Sequence, residues 1–124
     1  MIKSNVTYKN LILWQHSMEL VTSIYTVTKT FPESEKFKLI SQFNRAVVSI
    51  PSNMAEGYGR ASAKNYIQFL KISIGSVYKV ETLLLISKKL NYLSSEKYIK
   101  FQNLLEEISE LLNGLISSIQ RKIA

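Results

Sequence analysis

The sequence predicts an all-α fold, an antiparallel up-down four-helix bundle, on three observations. Apolar residues recur at three-and-four spacing through four long windows; only four Gly and two Pro interrupt the 124 residues; and the windows are joined by short turn segments, which force consecutive helices to be neighbours. A hydrophobic content of 46% spread along the whole length argues against disorder. A chain of this size buries one real core and no more, so residues 1–124 are expected to form a single domain with helices at about 10–30, 34–57, 62–90 and 94–122.

The first helix carries a stripe of Leu11, Trp14, Met18, Val21 and Tyr25 and stops at Phe31-Pro32. The second is expected to start near Ser34, with Glu33 and Glu35 placed to complement the helix dipole. Its stripe reads Phe37, Ile40, Phe43, Val47, Ile50, Met54, and Gly57 to Gly59 are read as helix-end and turn residues. Pro51 lies inside this stripe. It removes the amide that would bond the Val47 carbonyl, so a bend without a break is expected there. Ser62 is the expected N-cap of the third helix, and Asn91-Tyr92-Leu93 the turn before Ser94, which caps the fourth. Glu96 falls in the first turn of that helix, and its stripe is Phe101, Leu104, Ile108, Leu111, Leu115, Ile119.

On a wheel of 3.6 residues per turn, the apolar set of the third helix (Tyr66, Ile67, Phe69, Leu70, Ile74, Val77, Val80, Leu83, Leu84) spreads over roughly 200°. A helix burying one face needs a stripe somewhat over 100°. The excess predicts a second buried contact, either with a further copy of the chain or with another helix of its own bundle.

Sixteen Lys and Arg against nine acidic residues leave a formal charge of +7, which attracts nucleic acid or anionic surfaces. All nine acids are Glu. Between positions 60 and 100 there are eight Lys or Arg and two Glu. Arg60, Lys64, Lys71, Lys79 and Lys89 fall on one side of the third helix, opposite its apolar arc. Such a stripe is either a solvated face or a track for phosphates, and these five are the candidate nucleic-acid-binding residues.

Catalysis finds little to work with. His16 is the one histidine and cysteine and aspartate are absent, so no nucleophile relay, thiolate metal site or carboxylate–histidine bundle site can be assembled; no catalytic residue, metal or cofactor is expected. Gly57-Tyr58-Gly59 lacks the preceding strand and the Lys of a phosphate loop. Met1 to Thr7 have no apolar run of a signal peptide, and no stretch reaches the roughly 20 apolar residues of a membrane span, so a cytoplasmic protein without a membrane partner is expected. One polar ribbon stands out. Gln42, Arg45, Ser49, Ser52, Asn53 and Glu56 sit three or four apart beside the second stripe, either as buried hydrogen-bonded contacts that fix helix register or as a ligand surface; if Arg45 were buried it would need an acid, for which Glu81 is the candidate.

The run Ser49-Ile50-Pro51-Ser52-Asn53-Met54-Ala55-Glu56-Gly57-Tyr58-Gly59-Arg60 closely resembles the hallmark of the 23S rRNA-intervening-sequence protein family. Trp14-Gln15, Phe31-Pro32 with Glu35 and Phe37, Phe69-Leu70, Gly75-Ser76 and Glu81-Thr82 support the resemblance, which covers about residues 11–93. It implies a small bundle of a kind encoded within bacterial large-subunit rRNA genes or elsewhere in genomes, without an assigned activity. That family is in turn similar to the accessory variability protein of diversity-generating retroelements, a basic pentameric barrel that binds a reverse transcriptase and nucleic acid, which implies a homo-oligomer, a ring of five. Asn44-Arg45 departs from the family's paired arginines, and Lys79 stands where the family has an acid.

Two functions are therefore expected. One is a non-catalytic, homo-oligomeric RNA- or DNA-binding accessory protein. The other is a scaffold that docks a polymerase or another acidic protein partner.

Overall fold

A computed structural model describes residues 7–123; residues 1–6, on which most of the signal-peptide reading falls, lie outside it. After a short 3-10 turn at Tyr8–Asn10 come four helices, α1 (Ile12–Thr28), α2 (Leu39–Tyr58), α3 (Ala63–Lys89) and α4 (Ser95–Ile123), with a second 3-10 turn at Glu33–Glu35. No strand occurs among the described residues. Each helix packs on two others: α1 on α2 and α4, α3 on α2 and α4. That closed cycle is consistent with a four-helix bundle. Positions that meet across α2 and α3 run in opposite directions, Ser49 with Ser76, Ile50 with Ser73 and Gly57 with Phe69, so the pair is antiparallel.

The core is one cluster built on Phe43, Leu20, Ile24, Ile50, Met54, Leu70, Leu84, Leu105, Ile108 and Leu112. Each large side chain so removed from water contributes on the order of 1.5–3 kcal/mol. On α1 the buried line is Leu13, Ser17, Leu20, Ile24, Val27, and the expected stripe is displaced: Met18 and Tyr25 are exposed, while Leu11, Trp14 and Val21 flank the core. The fourth helix repeats the correction. Leu105, Ile108, Leu112 and Ile116 are buried and Leu111 is exposed. In both helices adjacent apolar pairs (Leu13-Trp14, Leu20-Val21, Leu104-Leu105, Leu111-Leu112) make two overlapping stripes, and packing against two neighbours, not periodicity, selects between them.

The second helix begins at Leu39, later than the expected Ser34. Lys38 has φ −119° and ψ −102°, outside the helical region, which separates α2 from the Glu33–Glu35 turn and leaves Phe37 86% exposed. Glu35 still serves this end of α2, its carboxylate accepting from the Leu39 amide at 3.5 Å and from the Tyr92 hydroxyl at 2.9 Å. Phe31 anchors the connection, with its ring 6.1 Å from Phe43 and 5.4 Å from Tyr92. α2 then runs unbroken through the buried Pro51 to Tyr58.

Ser62 caps α3, accepting from the Asn65 amide at 3.0 Å, and Ser94 caps α4, accepting from the Lys97 amide at 3.2 Å. Between them Asn91 takes φ 63°, the left-handed conformation that ends a helix. The wide apolar arc of α3 divides. Ile67, Leu70, Val77, Val80, Leu83 and Leu84 are buried between α2 and α4, so that part is used within the chain's own bundle.

No described helix is long and apolar enough to cross a membrane, and no group of three or more His, Cys, Asp or Glu gathers among the described residues.

Candidate nucleic-acid interface

The α2–α3 pair positions the basic face. Close approach begins at Gly57, which is buried inside α2 and is not a helix-ending residue: a Cβ there would sit 2.7 Å from the Phe69 Cβ and 3.0 Å from a ring carbon of Tyr66. Only Gly59 ends the helix, its amide bonding back to Ala55. Two turns further along, polar side chains join the helices. Ser73 donates to the Ile50 carbonyl at 2.9 Å, and Ser76 donates to the Ser49 hydroxyl at 2.8 Å. Asn53 donates to the carbonyl and the hydroxyl of Ser49, at 2.8 and 2.9 Å. These bonds occupy the groups that burial would otherwise leave unsatisfied.

The expected polar ribbon therefore splits. Ser49 bonds Ser76 of α3, and Asn53, half-buried, bonds Ser49 within α2; Gln42, Arg45, Glu56 and Glu81 are exposed. No ion pair joins Arg45 to Glu81, because an exposed guanidinium keeps its hydration and needs no buried partner. From the Ser49–Ser76 bond, one turn back along α2 reaches Arg45 and one turn on along α3 reaches Lys79. The antiparallel register thus sets these two cations level with each other.

Among the five sequence candidates, Lys64, Lys71, Lys79 and Lys89 are exposed and have no ion-pair partner among the described residues. From Lys64 to Lys89 they extend along about 37 Å of helix at 1.5 Å per residue. Arg60 differs. It follows the end of α2, bonds Glu56 at 2.7 Å and stacks its guanidinium 4.8 Å from the centre of the Phe69 ring, so its charge is already engaged. Beside it Tyr58 and Tyr66 meet edge to face at 6.1 Å, and burial, with Tyr58 a smaller cause, pushes the Tyr66 hydroxyl above its ordinary pKa.

Sequence reasoning missed Arg45 as a surface cation and Ser73 as an inter-helix donor. Serine at a core position of a helical stripe was the available signal for the second. It also missed Ile72, Tyr78, Leu85, Ile86 and Leu90, large side chains exposed among the lysines of α3. His16 ties α1 to α4, its Nε2 lying 2.8 Å from the Glu107 carboxylate.

Four helices packed in a closed cycle, with lysines exposed along α3, define in class a small all-helical bundle protein. Residues 9–114 match the model of the 23S rRNA-intervening sequence protein, and the chain belongs to that family. A solved structure from Bacteroides thetaiotaomicron VPI-5482, a protein with unknown function from the S23 ribosomal protein family, is similar, with 25% identity over 85% of this chain and 98% of that one and a TM-score of 0.79. No curated protein matches the chain.

Proposed function

We propose that the protein is a non-catalytic RNA-associated accessory protein that holds the nucleic-acid backbone along α3. The observation carrying this reading is the row of exposed, ion-pair-free lysines Lys64, Lys71, Lys79 and Lys89, with Arg45 level with Lys79. Lysines displayed this way recognise phosphate charge and not base identity, so binding is sequence-independent. Family membership, with its link to rRNA intervening sequences, favours RNA over DNA.

Titration of a fluorescent single-stranded RNA tests it. Each phosphate contact contributes about −0.7 to the slope of log K against log salt, so four contacts give a slope near −3. Changing the four lysines to Glu abolishes binding, while Arg60→Gln, whose charge is held by Glu56, costs little. Salt-insensitive binding, or none, refutes the reading.

Self-assembly is part of the proposal. The apolar residues left exposed on α3 and at its C-cap, Ile72, Leu85, Ile86 and Leu90, support a homo-oligomer, and the resemblance to the pentameric accessory barrel suggests five copies. Mass measurement in solution decides the number. The same side chains favour a second reading, a scaffold docking a polymerase or another acidic protein on its lysines; a complex that survives nuclease treatment supports that reading over the first.

A further inference from the structure

On the side of the bundle away from the α2–α3 groove, α1 and α4 part to leave a cleft of about 550 Å³, within the usual range of small-molecule sites. Its α1 wall carries short hydroxyl side chains, Thr22, Ser23 and Thr26, continued by Thr30 just beyond the helix end. Its floor is apolar: Val27, Phe101 and Leu104. Across from the threonines stand Lys97 and Lys100, neither in an ion pair among the described residues.

The hydroxyls fix what the cleft can recognise. Thr22 donates to the Glu19 carbonyl at 3.0 Å, Thr26 to the Thr22 carbonyl at 2.9 Å and Thr30 to the Val27 carbonyl at 2.6 Å. With their protons committed within the chain, these three oxygens offer only lone pairs, so the donors that line the cleft are the Ser23 hydroxyl and, as the charged ones, the ammonium groups of Lys97 and Lys100. Glu19, its one acid, sits at the far end: the His16–Glu107 contact sets the antiparallel register, which brings Glu19 level with Leu104 and Lys97 level with Thr26.

We propose that this cleft binds a small amphiphilic carboxylate, its anionic group on Lys97 and Lys100 and its hydrocarbon body on Val27, Phe101 and Leu104. The site is separate from the α3 lysine row, and either reading can fail alone.

Titration of the ¹⁵N-labelled protein with octanoate, and with octanamide as its neutral counterpart, tests it. Octanoate shifts amide resonances of residues 22–30 and 97–104 saturably, and octanamide binds at least tenfold more weakly. Lys97→Gln with Lys100→Gln lowers octanoate affinity at least tenfold; both side chains are exposed, so the fold is retained. Thr26→Val changes affinity less than twofold, since that hydroxyl gives no proton to the ligand, and Lys71→Glu with Lys79→Glu leaves it unchanged. Equal binding of the two ligands, unaltered binding by the lysine variant, shifts centred on α3, or no saturation overturns the assignment.

Discussion

Gly57 and Phe69 pack so closely that a single methyl on the glycine would lie 2.7 Å from the Phe69 Cβ. The clash is with a carbon next to the backbone, which cannot swing aside, so α2 and α3 would have to separate. Overpacking of this kind costs about 1–3 kcal/mol, against which Ala returns up to about 1 kcal/mol of helix propensity. Gly57→Ala is expected to be net destabilising in urea unfolding. Gly114→Ala, on the exposed face of α4 with nothing within 4 Å, should stabilise by about 0.5–1 kcal/mol.

The buried faces of α1 and α4 give a second test. Leu105→Ala should cost about 2–5 kcal/mol and Leu111→Ala well under 1, because Leu105 is fully buried and Leu111 is 37% exposed. Leu20→Ala and Met18→Ala should divide in the same way.

The Tyr92–Glu35 bond predicts a dependence on pH. Its hydrogen bond to the carboxylate, more than burial or the carboxylate charge, raises the Tyr92 pKa above the ordinary 10.0. A raised tyrosine pKa in the folded state means stability fully present below about pH 10 and lost as pH rises through the folded value, where the phenolate would face Glu35. The wild type should therefore have the higher melting temperature relative to Tyr92→Phe at about pH 8, and the gap should close above pH 10. A gap that is constant with pH would contradict the assignment.

His16 and Glu107 are both partly solvated, so their contact should be modest. A double-mutant cycle with His16→Ala and Glu107→Ala is expected to give a coupling of at most about 1 kcal/mol that shrinks in high salt.

The caps of α3 and α4 and the turn between these helices were the most legible part of the fold. Ser62, Ser94 and the Asn91 turn act through local hydrogen bonds and backbone geometry, which depend on a few consecutive residues. The phase of α1 and α4 was not legible, since a Leu-Leu or Leu-Val pair offers two faces and the choice belongs to tertiary packing. Gly57 was misread for a related reason. Glycine beside Tyr-Gly reads as a chain end, and only the position of Phe69 across the groove shows that it is needed for close approach. For the candidate site, charge and periodicity located the lysines of α3, but the commitment of Arg60 to Glu56 and the level placement of Arg45 and Lys79 depend on chain register.

The four-residue connection between α2 and α3, together with their serine contacts, has a consequence for the order in which the molecule comes apart. Loop closure there is entropically cheap, whereas joining α1 to α4 brings together the two most distant helices in the chain across a hydroxyl-lined gap. Hydrogen exchange should thus be slowest for the amides of α2 and α3 around Ile50 and Ser73 and faster along the α1–α4 seam, so that the protein opens there first, like a book whose spine is the α2–α3 hairpin.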